Sequence, residues 1–251
     1  MYHFFVEPFQ IHEEQEYIEI LGGDVNHIEN VLRMKQGEEL TVSDGFGSEY
    51  RCSAQEFLPE TVKVKILEKS RVSSELRSEI TLFQCLPKGD KMELIVQKAV
   101  ELGVYGIVPF AAKRSVVRLD EKKAGKKQIR WQAIAKGAAE QSGRGLIPEV
   151  ETVKTYAEAL EFAKGLDVIL VPYELEEGMK ATMSIIEAIR PGQSVGIFIG
   201  PEGGFEEQEI GQARNAGAVP VTLGRRILRT ETAGITTLSI LMYHLECAEV
   251  Q

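Results

Sequence analysis

The rhythm of apolar and polar positions changes once along this chain of 251 residues. In the N-terminal part the apolar runs are short and some alternate, which predicts strands at Phe4–Val6, Tyr17–Leu21, Glu39–Ser43, Glu49–Ala54 and Thr61–Leu67. In the last of these Val62, Val64 and Ile66 share one face, and Lys63 and Lys65 the other. Asp44-Gly45-Phe46-Gly47 supplies turn chemistry between two strands. Asp24 is placed to cap a helix in which Ile28, Val31 and Leu32 share a face, with Gly37 suited to ending it or forming the next turn. Short strands must hide their edges, so a small β-barrel with one helix is the expected closure.

From Lys69 to Ser78 the chain turns polar and serine-rich, which puts a domain boundary there: 1–72 and 73–251. Beyond it strands and helices alternate. Ile80–Leu86 is a strand; Asp90 and Glu93 have capping-box spacing before a helix with Met92, Ile95, Val96, Ala99 and Leu102 on one face, ended by Gly103. Val104–Phe110 is a strand, Gln128–Ser142 a helix with Trp131, Ile134, Ala135 and Ala138 inward, and Thr155 caps a helix to Lys164. Val168–Val171 is a strand and Thr182–Ile189 a helix. Two apolar runs follow, Val195–Ile199 and Val219–Leu223, each leading through a loop into a helix, the last with Ile235, Leu238, Leu241, Met242 and Leu245 inward. Such alternation implies α/β architecture with a mostly parallel sheet.

Composition, with 43% apolar and 27% charged residues, is that of a folded globular chain. No run reaches membrane-spanning length and the N-terminus lacks a leader pattern, so a cytoplasmic protein with no membrane association is expected. Cys52, Cys85 and Cys247 have no metal or disulfide spacing, and His3, His12, His27 and His244 are scattered, so no metal site is expected. The net charge of −9 hides an uneven distribution. Residues 1–72 carry 14 acids against 7 bases, whereas Lys113 to Arg144 holds ten bases against three acids. That basic run is either a solvated helix face or a phosphate-binding surface.

The candidate chemistry lies in the two late loops. Gly200-Pro201-Glu202-Gly203-Gly204 and Gly224-Arg225-Arg226-Ile227-Leu228-Arg229-Thr230-Glu231 each follow an apolar run, and in open α/β sheets ligands bind beyond the carboxyl ends of the strands. The first could be a plain tight turn, but its three glycines leave exposed N–H groups and no Cβ to block a ligand. Ile227 and Leu228, in a polar setting, need an apolar partner, either a ligand ring or a packed neighbour. Phosphate-loop, dinucleotide, nucleophile-elbow and zinc-protease motifs are all missing.

Five ordered stretches carry a resemblance: Leu86-Pro87-Lys88-Gly89-Asp90-Lys91, Gln97-Lys98-Ala99-Val100-Glu101-Leu102-Gly103, Ala138-Ala139-Glu140-Gln141-Ser142, the Gly200–Gly204 loop, and Ile227-Leu228-Arg229-Thr230-Glu231-Thr232-Ala233. Together with His27-Ile28 and Val31-Leu32-Arg33 they resemble the bacterial RsmE family of 16S ribosomal RNA uracil-N3 methyltransferases, in the SPOUT superfamily. His3 and Asn26 depart from the family pattern, where arginine and a second histidine are more frequent. The resemblance implies a PUA-like RNA-binding barrel, a C-terminal α/β domain with a deep trefoil knot, S-adenosylmethionine as methyl donor and a homodimer. Carried onto this chain, the donor loops are Leu170-Val171-Pro172, Ile199 to Gly204 (with Gly200, Gly203 and Gly204), and Leu223 to Arg229 (with Gly224, Ile227 and Leu228).

The chemistry that the resemblance implies assigns Arg229 to the anion formed when uracil N3 loses its proton, because a planar guanidinium can stabilise the flanking carbonyl oxygens. Glu231 or Glu202 would orient it or accept the proton; an Arg229–Glu231 ion pair that merely caps the last helix is the plainer alternative. Arg114, Arg118, Lys122, Lys123, Lys126, Lys127 and Arg144 become candidates for gripping the phosphates of 16S rRNA, free or within the small ribosomal subunit, and Arg33, Lys88 and Gln141 for contacts nearer the base. Two other functions stay open, a non-catalytic RNA-binding protein of the same fold and an α/β enzyme acting on a small phosphorylated metabolite. Donor binding discriminates against the first, and activity on free nucleotides would select the second.

Overall fold

The computed structural model describes residues 2–72, 74–117, 119–176 and 178–249. The chain forms two compact units, one of Met1–Glu75 with Ala139–Ile147, the other of Leu76–Ala138 with Pro148–Gln251. The sequence pattern puts the change of architecture at 72 and 73, where Ser73 lies outside the described residues; the units divide at Glu75 and Leu76.

The first unit holds strands β1 (Tyr2–Phe5), β2 (Ile11–His12), β3 (Tyr17–Leu21), β4 (Glu39–Ser43), β5 (Ser48–Leu58) and β6 (Thr61–Arg71). They form one sheet in the order β1-β4-β5-β6-β3-β2, antiparallel except for β1 beside β4. Alternation predicts the inner face: Leu40, Val42, Cys52, Ala54, Val62 and Val64 are buried with Ile18 and Ile20. A short helix α1 (Gly23–Asn26) covers this core and runs on as a wide π-helical turn, His27–Leu32. Gly22 rather than Asp24 stands at its N-cap, and the widened turn buries Ile28 but leaves Val31 61% exposed, so Val31 does not share the inner face expected of it. Arg33, left-handed at φ 55°, ends the turn. Ala139–Ile147 joins this unit through Arg144, whose guanidinium donates to both carboxylate oxygens of Glu75, and through the Ser74 hydroxyl on the Gly143 carbonyl.

The second unit is built on a parallel sheet. Its strands β7 (Ile80–Cys85), β8 (Gly106–Ala111), β9 (Glu149–Val150), β10 (Lys154–Thr155), β11 (Val168–Pro172), β12 (Val195–Ile199) and β13 (Val219–Val221) run in the order β10-β8-β7-β12-β11-β13, with β9 also on β8. Between them lie α2 (Lys91–Glu101), α3 (Glu121–Ser142), α4 (Tyr156–Ala163), α5 (Met179–Ala188), α6 (Glu207–Asn215) and α7 (Thr230–Glu249). The central strands are buried on both faces, hence their unbroken apolar runs. Phe83 stacks on Phe198 at 4.2 Å between ring centres, and Phe110, Tyr156 and Phe205 extend this aromatic core.

Three helix starts in this unit differ from the sequence pattern, and α5 begins at Met179, three residues before the expected Thr182. Asp90 makes no side-chain cap, its backbone at φ −97° and ψ 14° lying outside the extended region that a capping residue adopts, and Glu93, the residue meant to reciprocate, is paired with Arg130 at 2.8 Å. Helix α3 begins at Glu121, seven residues before the expected Gln128, since its first two turns are lysine-rich and show no apolar face; the Asp120 carboxylate accepts the Lys123 N–H there at 2.8 Å. Thr155 does cap α4, in a capping box with Glu158.

Candidate active site

Strands β12, β11 and β13 are neighbours and parallel, so their carboxyl ends lie on one edge of the sheet. Each then opens into a loop. The β12 loop turns tightly, with Gly204 N–H donating to the Pro201 carbonyl at 2.9 Å, before Phe205 enters the core and Glu206 starts α6 in a capping box with Glu209. The β13 loop runs from Thr222 to Arg229, whose carbonyl accepts the Ala233 N–H at 2.8 Å and so begins α7. The β11 end is tied across by Tyr173 N–H on the Val221 carbonyl, 2.9 Å.

A cleft of about 240 Å³ opens between these loops. Of the residues assigned to the methyl donor, Pro172, Ile199, Gly200, Gly204, Leu223, Gly224, Ile227, Leu228 and Arg229 line it, as does Glu202. Leu170, Val171 and Gly203 are not part of that lining. Leu170 and Val171 are wholly buried inside β11, and Gly203 turns outward, its carbonyl accepting Arg114 Nη1 at 3.0 Å. Thr230, inside the second candidate loop, and Phe205, directly after the first, also line the cleft, as do Tyr173, Glu174 and Thr222, which the sequence pattern does not single out. Tyr173 and Glu174 follow Pro172 directly, so a β11 loop taken two residues further includes them.

The glycines are cradle positions. A Cβ on Gly200 would stand 3.0 Å from the Phe205 ring, and one on Gly204, at φ 69°, would stand 2.8 Å from a Glu174 carboxylate oxygen. A buried polar bridge joins the two loops: Gln84 Nε2 donates to Thr230 Oγ1 at 2.9 Å, and that hydroxyl donates to the Gly200 carbonyl at 2.8 Å. Gln84 sits in an apolar strand, and nothing in its sequence surroundings marks it.

Charge gathers at one end of the cleft. Glu202 Oε1 accepts the Lys88 N–H at 2.9 Å and lies 3.8 Å from Lys91 Nζ, which is 3.2 Å from Glu231 Oε2. Glu231 therefore pairs with Lys91, and among the described residues no side chain engages the Arg229 guanidinium. Burial pushes the Glu202 carboxyl up, but the Lys88 amide, its own amide and the charges of Lys91 and Lys88 outweigh it, holding the group below its ordinary value.

The basic candidates separate. Lys122, Lys123 and Lys126 are exposed along the first turns of α3, and Lys127 lies over the Trp131 ring at 5.9 Å. Arg114 is exposed but holds Gly203 and Glu206; Arg118 lies outside the described residues. Arg33, Lys88 and Gln141 are exposed. Arg144 is corrected: it is 3% exposed, and its fork is spent on Glu75, so it cannot grip a phosphate. Among the described residues no cluster of His, Cys, Asp and Glu could hold a metal.

Two family models match the chain, an RNA methyltransferase domain over residues 74–242 and an RNA methyltransferase PUA domain over residues 20–54. The chain is 40% identical to the ribosomal RNA small subunit methyltransferase E of Bacillus subtilis, covering 93% of each, and 36% identical to that of Mesomycoplasma hyopneumoniae, covering 95% of this chain and 98% of the relative. It is also similar to the crystal structure of a ribosomal RNA small subunit methyltransferase E from Neisseria gonorrhoeae bound to S-adenosyl methionine, with 32% identity, coverage of 97% of each chain and a TM-score of 0.81.

Proposed function

This chain belongs to the ribosomal RNA small subunit methyltransferase E family, and from that membership we propose its activity: S-adenosylmethionine-dependent methylation of uridine N3 in 16S ribosomal RNA. The observation that carries the reading is the cleft itself, where glycine backbone, an apolar wall and an unengaged arginine meet at one sheet edge.

The residues present fit the donor. Ile199, Leu223, Leu228 and Phe205 offer apolar surface to a flat neutral adenine, the loop backbone offers its hydrogen-bonding edge, and the Glu174 carboxylate beside Gly204 suits the cationic part of the molecule. Bound there, S-adenosylmethionine supplies an electrophilic methyl group on a sulfonium sulfur. The chain must do the rest. Uracil N3 carries a proton and is a poor nucleophile until it leaves, so a carboxylate on the cleft takes that proton. Arg229 then stabilises the charge spread over N3 and the flanking oxygens, as donors of an oxyanion hole do.

The exposed lysines of α3 hold the rRNA backbone, with Lys88 nearer the base; the N-terminal unit, where Arg33 and Gln141 are exposed for RNA contact, serves as the PUA-like RNA reader. An acidic reader needs shape as well as charge, so structured rRNA is the substrate. Equal methylation of short unstructured oligonucleotides would contradict that. The chain works as a homodimer, supported by exposed Ile240 and Tyr243 on one face of α7. The trefoil knot that the family resemblance implies is part of the same reading. No described helix is long and apolar enough to cross a membrane, and the ribosomal substrate puts the enzyme in the cytoplasm.

The decisive test is methylation of 16S rRNA taken from a strain lacking the enzyme, followed by mapping of the modified base. Methyl on N3 of one uridine is expected. No methyl transfer together with no donor binding by calorimetry would instead select a non-catalytic RNA-binding protein.

A further inference from the structure

The segment joining β7 to α2 brings a cation to the acids of the cleft. Lys91, the first residue of α2, places its ammonium 3.2 Å from Glu231 Oε2 and 3.8 Å from Glu202 Oε1. The three side chains are only 31%, 15% and 28% exposed, so this is a partly desolvated cluster and not a solvated surface pair. Glu231 Oε2 is buried and meets no donor in hydrogen-bond geometry, which leaves the Lys91 charge as its compensation. Glu202 differs: it lines the cleft with Arg229, and its Oε1 is anchored on the Lys88 amide. The two carboxylates share one ammonium, so without it they would repel each other and one would be driven toward the protonated form.

We propose, on the reading that this cleft methylates uridine, that Lys91 is a positioning residue which, by bridging Glu231 and Glu202, fixes Glu202 on the cleft as the acceptor of the N3 proton. The N3–H bond breaks and its proton goes to a Glu202 oxygen. The electron pair left on N3 forms the bond to the methyl group, while the donor sulfur keeps the pair of the bond that breaks; solvent then takes the proton from Glu202. The charged and titratable groups that face Glu202 are Lys88 and Lys91 from the β7–α2 segment, Glu231 from α7, Arg229 across the cleft lining and the Cys85 thiol at the end of β7. Removing Lys91 takes away a charge that favours the carboxylate, so Glu202 stays protonated, and inactive as a base, up to higher pH.

The test compares Lys91→Met, Lys91→Gln and Lys91→Arg with the unaltered protein, using 16S rRNA from a strain lacking the enzyme at saturating S-adenosylmethionine. Rates are read between about pH 5 and about pH 9, and donor binding by calorimetry. Lys91→Met and Lys91→Gln are expected to lower kcat roughly tenfold at neutral pH and to move the acid limb of the profile up by about one unit. Donor affinity should stay within about threefold, and Lys91→Arg should restore most of both losses. In a Glu202→Gln background, Lys91→Met should add little further loss. An acid limb that stays in place in both neutral variants, whatever their kcat, overturns the proposal, and so does an equal loss in Lys91→Arg. An unaltered protein that binds donor but never methylates N3 overturns the methylation reading itself and this proposal with it, a result the variants alone cannot produce.

Discussion

Arg229 begins α7 with its carbonyl on the Ala233 N–H, while no described side chain engages its guanidinium. The plainer expectation, an ion pair with Glu231, does not hold because Lys91 takes that carboxylate. Arg229→Ala should lower kcat by about 10²-fold at saturating donor and rRNA, the size expected for losing a donor to a developing oxyanion. A rate equal to that of the unaltered protein would remove it from the reaction. Gly204→Ala tests the cradle: positive φ and the Glu174 carboxylate together should cost about 1 kcal/mol or more and weaken donor binding about fivefold or more in calorimetry. Both residues stand out in the sequence, since an apolar pair directly before an arginine in a polar loop and a double glycine after an apolar strand each break local pattern. Gln84 and Lys91 do not, because what distinguishes them is a partner more than a hundred residues away.

Helix α3 shows why like residues in one basic run have different tasks. Lys122, Lys123 and Lys126 are exposed on its first turns, so changing all three to Ala should leave thermal stability nearly unchanged while weakening rRNA binding. Its salt dependence should also become shallower, by about one unit of log–log slope for each phosphate that is no longer neutralised. Arg144 lies beyond the helix and is buried against Glu75. Arg144→Ala should therefore destabilise the first unit by about 3 kcal/mol, read as a lower denaturation midpoint, because a carboxylate is left without its partner. Charge composition treats these residues alike; only their burial separates them. The same limit explains the late start assigned to α3, since a lysine-rich turn lacks the apolar stripe by which a helix is recognised.

At the scale of the whole chain, titratable groups whose protonation is shifted by burial or by hydrogen bonds set the pH range of stability. Burial holds His3 below its ordinary value of 6.5, so the unfolded chain binds a proton more readily and folding loses stability as pH falls through about 6.5. Glu202 and Asp167, held below the ordinary carboxylate range, are stabilising above that range and lose the contribution as pH falls further. On the alkaline side burial pushes the Cys52 thiol up to about 12, so its contribution is complete below its ordinary value of 9.0 and lost as pH rises from there toward 12. Thermal melts across this range should show a plateau between about pH 6.5 and about pH 9, with loss on both sides. A melting temperature that keeps rising past pH 9 would contradict the Cys52 assignment.

The class of each half, the order of most strands and helices, and the two loops that meet at the cleft are legible in the sequence alone, because periodicity and glycine placement are local and survive without knowledge of neighbours. The family resemblance is legible there too. Packing settled what depends on distant residues: that Leu170 and Val171 are core and not ligand wall, that Arg144 belongs to Glu75, that Ala139–Ile147 packs with the N-terminal unit, and that Lys91 joins Glu202 to Glu231. Burial and ion pairing arise only when separate elements close on one another, so no local pattern can record them.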